Sequence, residues 1–257
     1  MAATKRKAGK SSAAGKAAAS GSATGKGPTK QAAAEKASAK PPAAEKAPTG
    51  DAPTGDAPPK KLSGAAAVAQ RLIEEGPASA IAEHGANLVG GAPSAATQSA
   101  RVLGEIVARK PSAAAPLVDR FVTGILSKNK RVVQACADAL PAIAKVAPAR
   151  VAKHLERLTR SFDAAGAVGR DGLVRTFANL CAASVAYQKR LEPVLKTALS
   201  VADGKVLVGW TQTVLPALKG EPHANARAVV ERRLYEIPRR DAQLIADFLG
   251  IRLRTRR

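Results

Sequence analysis

Apolar residues recur along residues 62–257 in two interleaved sets that share one period. Residues 100–111, ARVLGEIVARKP, align with residues 137–148, ADALPAIAKVAP, at an offset of 37. This matches Ala100 with Ala137, Leu103 with Leu140, Ile106 with Ile143 and Pro111 with Pro148. A further 37 residues reach Phe177 and Leu180, and 38 more reach Leu215 and Leu218. The second set is Phe121, Leu158 and Leu195, with Ile125, Phe162 and Leu199 four residues on. Apolar positions three or four apart share one helical face. No stretch shows the period-two alternation of a half-buried strand. The pattern predicts an all-α chain with two helices per unit.

The elements follow from the spacing. A leading helix is expected at 64–75, then pairs at 77–90 and 94–109, 112–127 and 129–146, 149–163 and 167–184, and 186–201 and 204–218. A less regular pair completes the series at 223–237 and 239–250. Pro111, Pro148 and Pro238 fit helix starts, where a missing N–H costs nothing. ADG at 202–204 and GEP at 220–222 fit breaks. Pro141 falls inside a predicted helix, where proline costs about 3 kcal/mol. Its aligned positions hold Gly104, Ala178 and Pro216, which predicts a closely approaching backbone there and a curved helix.

Two helices per unit at a period of 37–38 mark an α-solenoid. APLVDRFVTGILSKNKRVVQACADALPAIAKV resembles the HEAT repeat, and LEPVLKTALSVADGKVLVGWTQTVLPAL has the same form, with Pro193 in its first helix. The resemblance spans residues 77–218. It implies an armadillo-type solenoid of four to five helical pairs whose concave groove takes a partner. A scaffold is implied, and no particular partner.

Composition divides the chain at residue 61. Residues 1–61 contain no Leu, Ile, Val, Phe, Trp, Tyr or Cys, and carry 12 basic against 4 acidic residues. Such a segment cannot bury enough apolar surface to offset the entropy of ordering, so a disordered tail is expected. AAEKA repeats at 33–37 and 43–47, and APTGD at 47–51 and 52–56. Its spaced lysines resemble linker-histone tails and the lysine- and alanine-rich bacterial proteins that coat DNA. Residues 62–257 form the expected folded part, with 29 basic and 16 acidic residues. The whole chain carries a formal charge of +21.

Charge of this kind points to a polyanion. Lys5, Arg6, Lys7, Lys10, Lys16, Lys26 and Lys30 would capture phosphates loosely, with counterion release as the driving force. In the folded part, Lys128, Lys130 and Arg131, then Arg170, then Lys205 occupy equivalent turns, and Arg101 and Arg175 share a row of the second helices. Arg252, Arg254, Arg256 and Arg257 follow the last acidic residue. Equivalent positions of a solenoid line up, so these side chains are expected to form a ridge. The expected function is a non-enzymatic scaffold for nucleic acid, DNA favoured. The alternative is a protein-interaction adaptor whose tail only tethers or solubilises.

Catalytic and metal signals are poor. GSATGKG at 21–27 misses the phosphate loop, because Ser20 stands for its first glycine and Gly27 for its magnesium-holding hydroxyl. His84 and His154 fall in apolar rows, and His223 is expected to be exposed at a helix start. Cys136 and Cys181 lie in apolar runs without metal spacing and read as small hydrophobes. No cofactor is expected. HEAT-repeat DNA glycosylases set a remote third reading, in which Trp210 and Asp171 would flank a lesion, but aromatic residues make up only 3% of the chain. With no membrane-length apolar run and no apolar segment behind the basic start, an intracellular, cytoplasmic chain is expected. It would be nucleoid-associated in a bacterium, or nuclear in a eukaryote, where KRK at 5–7 would serve import.

Overall fold

The leucine, isoleucine and phenylalanine residues of the aligned rows are buried, with Leu103, Leu140, Phe177, Phe121, Leu158 and Leu195 at 0% exposure. The computed structural model describes residues 64–253, and within them all regular structure is helical. The expected tail and the readings for Arg254, Arg256 and Arg257 lie outside the described residues.

The helices are α1 (Gly64–Glu74), α2 (Ala78–Gly90), α3 (Pro93–Arg109), α4 (Pro111–Ala114), α5 (Val118–Gly124), α6 (Lys130–Val146), α7 (Pro148–Ala152), α8 (Leu155–Ala164), α9 (Ala167–Ala183), α10 (Val185–Val201), α11 (Gly204–Val214), α12 (Gly220–Arg233) and α13 (Arg239–Leu249). The second helices of the predicted pairs pack successively, α1 on α3, α3 on α6, α6 on α9, α9 on α11 and α11 on α13. The first helices cover them, α2 on α3, α5 on α6, α8 on α9 and α10 on α9.

Four expectations need correction. The helix predicted at 112–127 is divided into α4, a 3-10 turn at Ala115–Leu117 and α5. Pro116 has no N–H to donate and its ring crowds the preceding turn, so the chain tightens there. The helix predicted at 149–163 also divides, at Lys153–His154, where His154 leaves helical geometry at φ −103° and ψ 13°. This break falls 37 residues after Pro116, with nothing in the local sequence that forces it. GEP at 220–222 is the first turn of α12 and no break; Pro222 is tolerated because first-turn N–H groups lack helical partners. Pro216 shortens α11, whose end becomes a 3-10 turn at Leu215–Ala217.

Pro141 is buried inside α6 and leaves the carbonyl of Ala137 without its helical donor. Arg175 of α9 supplies one, with Nη2 3.5 Å from that oxygen. Asn179 Nδ2 donates to the Pro141 carbonyl itself at 2.9 Å. The two helices approach closely one turn earlier, where a Cβ on Gly172 would stand 2.5 Å from the Ala137 Cα. Close approach is therefore real but displaced from Pro141 and not general. Gly104 has nothing within 4 Å of where its Cβ would be, and Pro216 is exposed.

Polar links repeat at the same offset as the apolar rows. Arg157 reaches Asp119 at 2.9 Å, Arg175 reaches Asp138 at 3.2 Å, and the Trp210 indole N–H donates to Asp171 at 3.0 Å, over separations of 38, 37 and 39 residues. Gln188, fully inside, donates to the Cys181 and Ala217 carbonyls and accepts from the Lys219 N–H. One amide thus ties together the chain around the ends of α9 and α11 and the start of α12.

Candidate nucleic-acid interface

The turn into α6 is held by Asn129. Its side chain accepts from the Arg131 N–H at 3.0 Å, its amide donates to Thr97 Oγ1 at 3.0 Å, and its own N–H donates to Ser127 Oγ at 3.1 Å. This fixes Lys128, Lys130 and Arg131 at the head of a 17-residue helix, all three exposed. The helix dipole adds partial positive charge at the same end.

Two clefts meet there. One, of about 580 Å³, lies among α1, α3 and α6 and is lined by Arg101, Glu105, Arg131 and Gln134. The other, of about 710 Å³, runs between the α5–α6 and α8–α9 turns and is lined by Lys130, Arg131, Leu126 and Val168. Arg131 and Gln134 line both, so the two clefts share a wall. Arg101, Lys128, Lys130 and Arg131 have no carboxylate or hydrogen-bonding partner for their side chains among the described residues. Glu105 is engaged by Arg109 at 3.8 Å.

The remaining residues expected in the ridge are distributed differently. Arg170 turns back onto α8, donating to the Phe162 and Asp163 carbonyls at 3.1 and 2.9 Å, with its guanidinium 5.7 Å above the Phe162 ring. Arg175 is held by Asp171 at 2.9 Å and Asp138 at 3.2 Å as well as by the Ala137 carbonyl. Both are tied up within the fold. Lys205 is exposed at the start of α11, and Arg252 is exposed beyond α13; neither lines these clefts.

A second basic group, which the sequence reading passed over, occupies the opposite ends of the helices. Arg150 of α7, Lys153 at the α7–α8 break and Arg190 of α10 surround two clefts that share Lys153 and His154. The available signal was the run of cations at junctions between helical pairs, at Lys110, Arg150, Lys153, Lys189, Arg190 and Lys219.

Residues considered for chemistry are placed as follows. Trp210 is 5% exposed, and its ring packs against Phe162 at 6.3 Å between centroids, so no open face is presented for stacking. His84 Nδ1 lies 3.2 Å from Ser99 Oγ, and His154 Nδ1 lies 3.9 Å from Asp119. His223 is half-buried, where exposure was expected. No group of three or more His, Cys, Asp or Glu that could hold a metal occurs among the described residues. No helix among them is long and apolar enough to cross a membrane.

Cys136 and Cys181 are both buried, and burial pushes each thiol up to about 12. At pH 8 the native thiolate population is then about three orders of magnitude below that of an unfolded cysteine. Labelling with a thiol reagent at pH 8 is expected to be slow in the native protein and to accelerate by a comparable factor in denaturant. Equal rates in the two states would show that the thiols are accessible.

No family model and no curated protein matches the chain. Among solved structures it is similar to an engineered protein determined by a structural genomics consortium, with a TM-score of 0.51 and 17% identity. The alignment covers 74% of this chain and 97% of that one. At that identity the likeness concerns the fold alone, and it agrees with the all-α architecture.

Proposed function

We propose that the chain is a non-enzymatic, HEAT-like solenoid scaffold that holds nucleic acid, DNA favoured, by its backbone phosphates. The observation that carries this reading is the pair of adjoining clefts that share Arg131, one lined by Arg101 and the other by Lys130, whose side chains make no ion pair among the described residues. The seven cations between Lys5 and Lys30 supply a second, looser contact. Phosphate contacts position a protein without reading sequence, so binding should be strongly salt-dependent and indifferent to base order.

The test is duplex binding across a salt series. Reversal of Arg101, Lys130 and Arg131 to glutamate should weaken binding and make the log–log salt slope shallower by about 2.7, at about 0.9 per phosphate contact. Deletion of residues 1–30 should make it shallower by several units on the same arithmetic. The matched control is reversal of Arg71, Arg120 and Arg232, which are exposed and line neither cleft. Arg157 is unsuitable as a control, because it bridges Asp119 and Thr123 at 2.9 and 2.6 Å. Equal effects from ridge and control would overturn the reading.

One observation favours the adaptor alternative. Leu126 and Val168 are 47% and 44% exposed on the walls of the second cleft, where a partner protein's apolar side chain could rest beside Lys130. Retention of a protein partner by a Leu126→Asp variant would count against that use of the cleft.

A further inference from the structure

The cations at the far ends of the helices form a second surface with its own geometry. Arg150, Lys153, His154 and Asp119 line a cleft of about 350 Å³ against the 3-10 turn at Ala115–Leu117 and α5. Lys153 and His154 continue into another of about 550 Å³ with Arg157, Arg160, Glu156 and Arg190. The two carboxylates here are already engaged, Asp119 by Arg157 at 2.9 Å and Glu156 by Arg160 at 3.5 Å. Arg150, Lys153 and Arg190 have no partner for their side chains among the described residues, and all three are exposed. The break between α7 and α8 is what brings Lys153 to the point where the two clefts join.

This surface is separated from the ridge by the length of the second helices. Lys130 begins α6 and Arg150 follows its end, so a 17-residue helix of about 25 Å stands between them. The intervening face does not extend the positive surface. Asp138 and Asp171 stand on it and both bind Arg175, while Lys145, unpaired among the described residues, lies in the last turn of α6, toward the second edge. A phosphate backbone therefore meets two cationic edges with a strip between them that carries both signs of charge. Neither cleft of the second edge is lined by an exposed aromatic or long apolar side chain that would insert between acyl chains. Exposed arginine and lysine around a polar cleft suit phosphate oxygens, with arginine able to contact two at once.

We propose that the edge formed by Arg150, Lys153 and Arg190 binds the phosphate backbone of a second duplex, so that one molecule bridges two DNA segments. The inference rests on the reading of the Arg101–Lys130–Arg131 ridge as a first DNA contact. A single straight duplex that reached both edges would have to lie along this strip, with its phosphates over the carboxylates of Asp138 and Asp171. Bridging is then a property of the folded part, where the two edges lie at opposite ends of α6.

The experiment uses the full chain, a bead-bound duplex and a second, fluorescent duplex in solution. Single-duplex affinity is measured in parallel by anisotropy. The wild-type chain should capture the second duplex on beads carrying the first. Arg150→Glu, Lys153→Glu and Arg190→Glu together should lower second-duplex capture at least tenfold while single-duplex affinity changes by no more than about threefold. The glutamine versions of the same three substitutions, with helicity checked by circular dichroism, should give the same direction if the glutamate chain folds poorly. Capture that survives both sets overturns the second edge and assigns bridging to the tail or to self-association. Single-duplex binding without any capture by the wild-type chain overturns bridging and leaves the ridge standing. Failure of the wild-type chain to bind even one duplex overturns both, and is told apart by the anisotropy arm.

Discussion

Replacing Leu140 by alanine should destabilise the protein by about 2–5 kcal/mol, the range for emptying a packed leucine site. Leu140 has 0% exposure on α6, and its row partners Leu103 and Phe177 are equally enclosed on the two helices that flank α6. A cavity there is bordered by three successive helices, none of which can move in without opening its contacts on the other side. In a domain of this size each kcal/mol moves the thermal midpoint by about 2–4 °C. The comparison is Arg109→Ala, which removes a hydrogen bond to Gln70 and a 3.8 Å ion pair to Glu105, both exposed. Exposed pairs contribute about 0–1 kcal/mol, so the midpoint should shift little. Thermal melts of both variants decide the matter, and similar losses would mean that the rows do not carry the stability.

Glycine replacement at two helical positions should give effects of opposite sign. Alanine in place of glycine within a helix is intrinsically favourable by about 1 kcal/mol. At Gly104 of α3 nothing lies within 4 Å of the added methyl, so Gly104→Ala should stabilise by about that amount. At Gly172 of α9 the same methyl would meet the Cα, Cβ and carbonyl oxygen of Ala137 at 2.5, 2.5 and 2.7 Å. Those atoms belong to backbone and to a side chain with no rotamer to change, so α6 and α9 must separate. Overpacking of this kind costs about 1–3 kcal/mol and more when backbone is involved, which outweighs the helical gain. Gly172→Ala should therefore lower the midpoint while Gly104→Ala raises it. A gain at both positions would show that the α6–α9 approach is looser than described.

The helices were legible because the signal for each is local and the offset is repeated. Leu103, Leu140 and Phe177 lie on aligned faces, and three agreeing rows leave little room for a different period. Helix breaks were less legible. Pro116 announced one through its chemistry, but Lys153–His154 departs from helical geometry without glycine or proline, so it depends on packing beyond the local sequence. The candidate site divides in the same way. Lys128, Lys130 and Arg131 could be placed from the turn that Asn129 caps. Arg175 could not be separated from them by row position alone. Asp171 four residues before it and Asp138 one period before it were the clues that its charge would be spent inside the fold. For Arg150, Lys153 and Arg190, attention to turns within pairs hid the junctions between pairs, although the cations there stand in plain sequence.

The polar links at separations of 37, 38 and 39 residues also set rules for how the chain can change length. One residue inserted into α9 ahead of Arg175 would turn the rest of that helix by about 100°, since an α-helix has 3.6 residues per turn. Arg175 would then face away from Asp138 and from the carbonyl that Pro141 leaves open, and Asn179 would miss its acceptor as well. Residues added in the turn before α9 leave the faces of that helix as they are. The chain thus tolerates added length unevenly: a turn can take another residue, but the middle of α9 cannot.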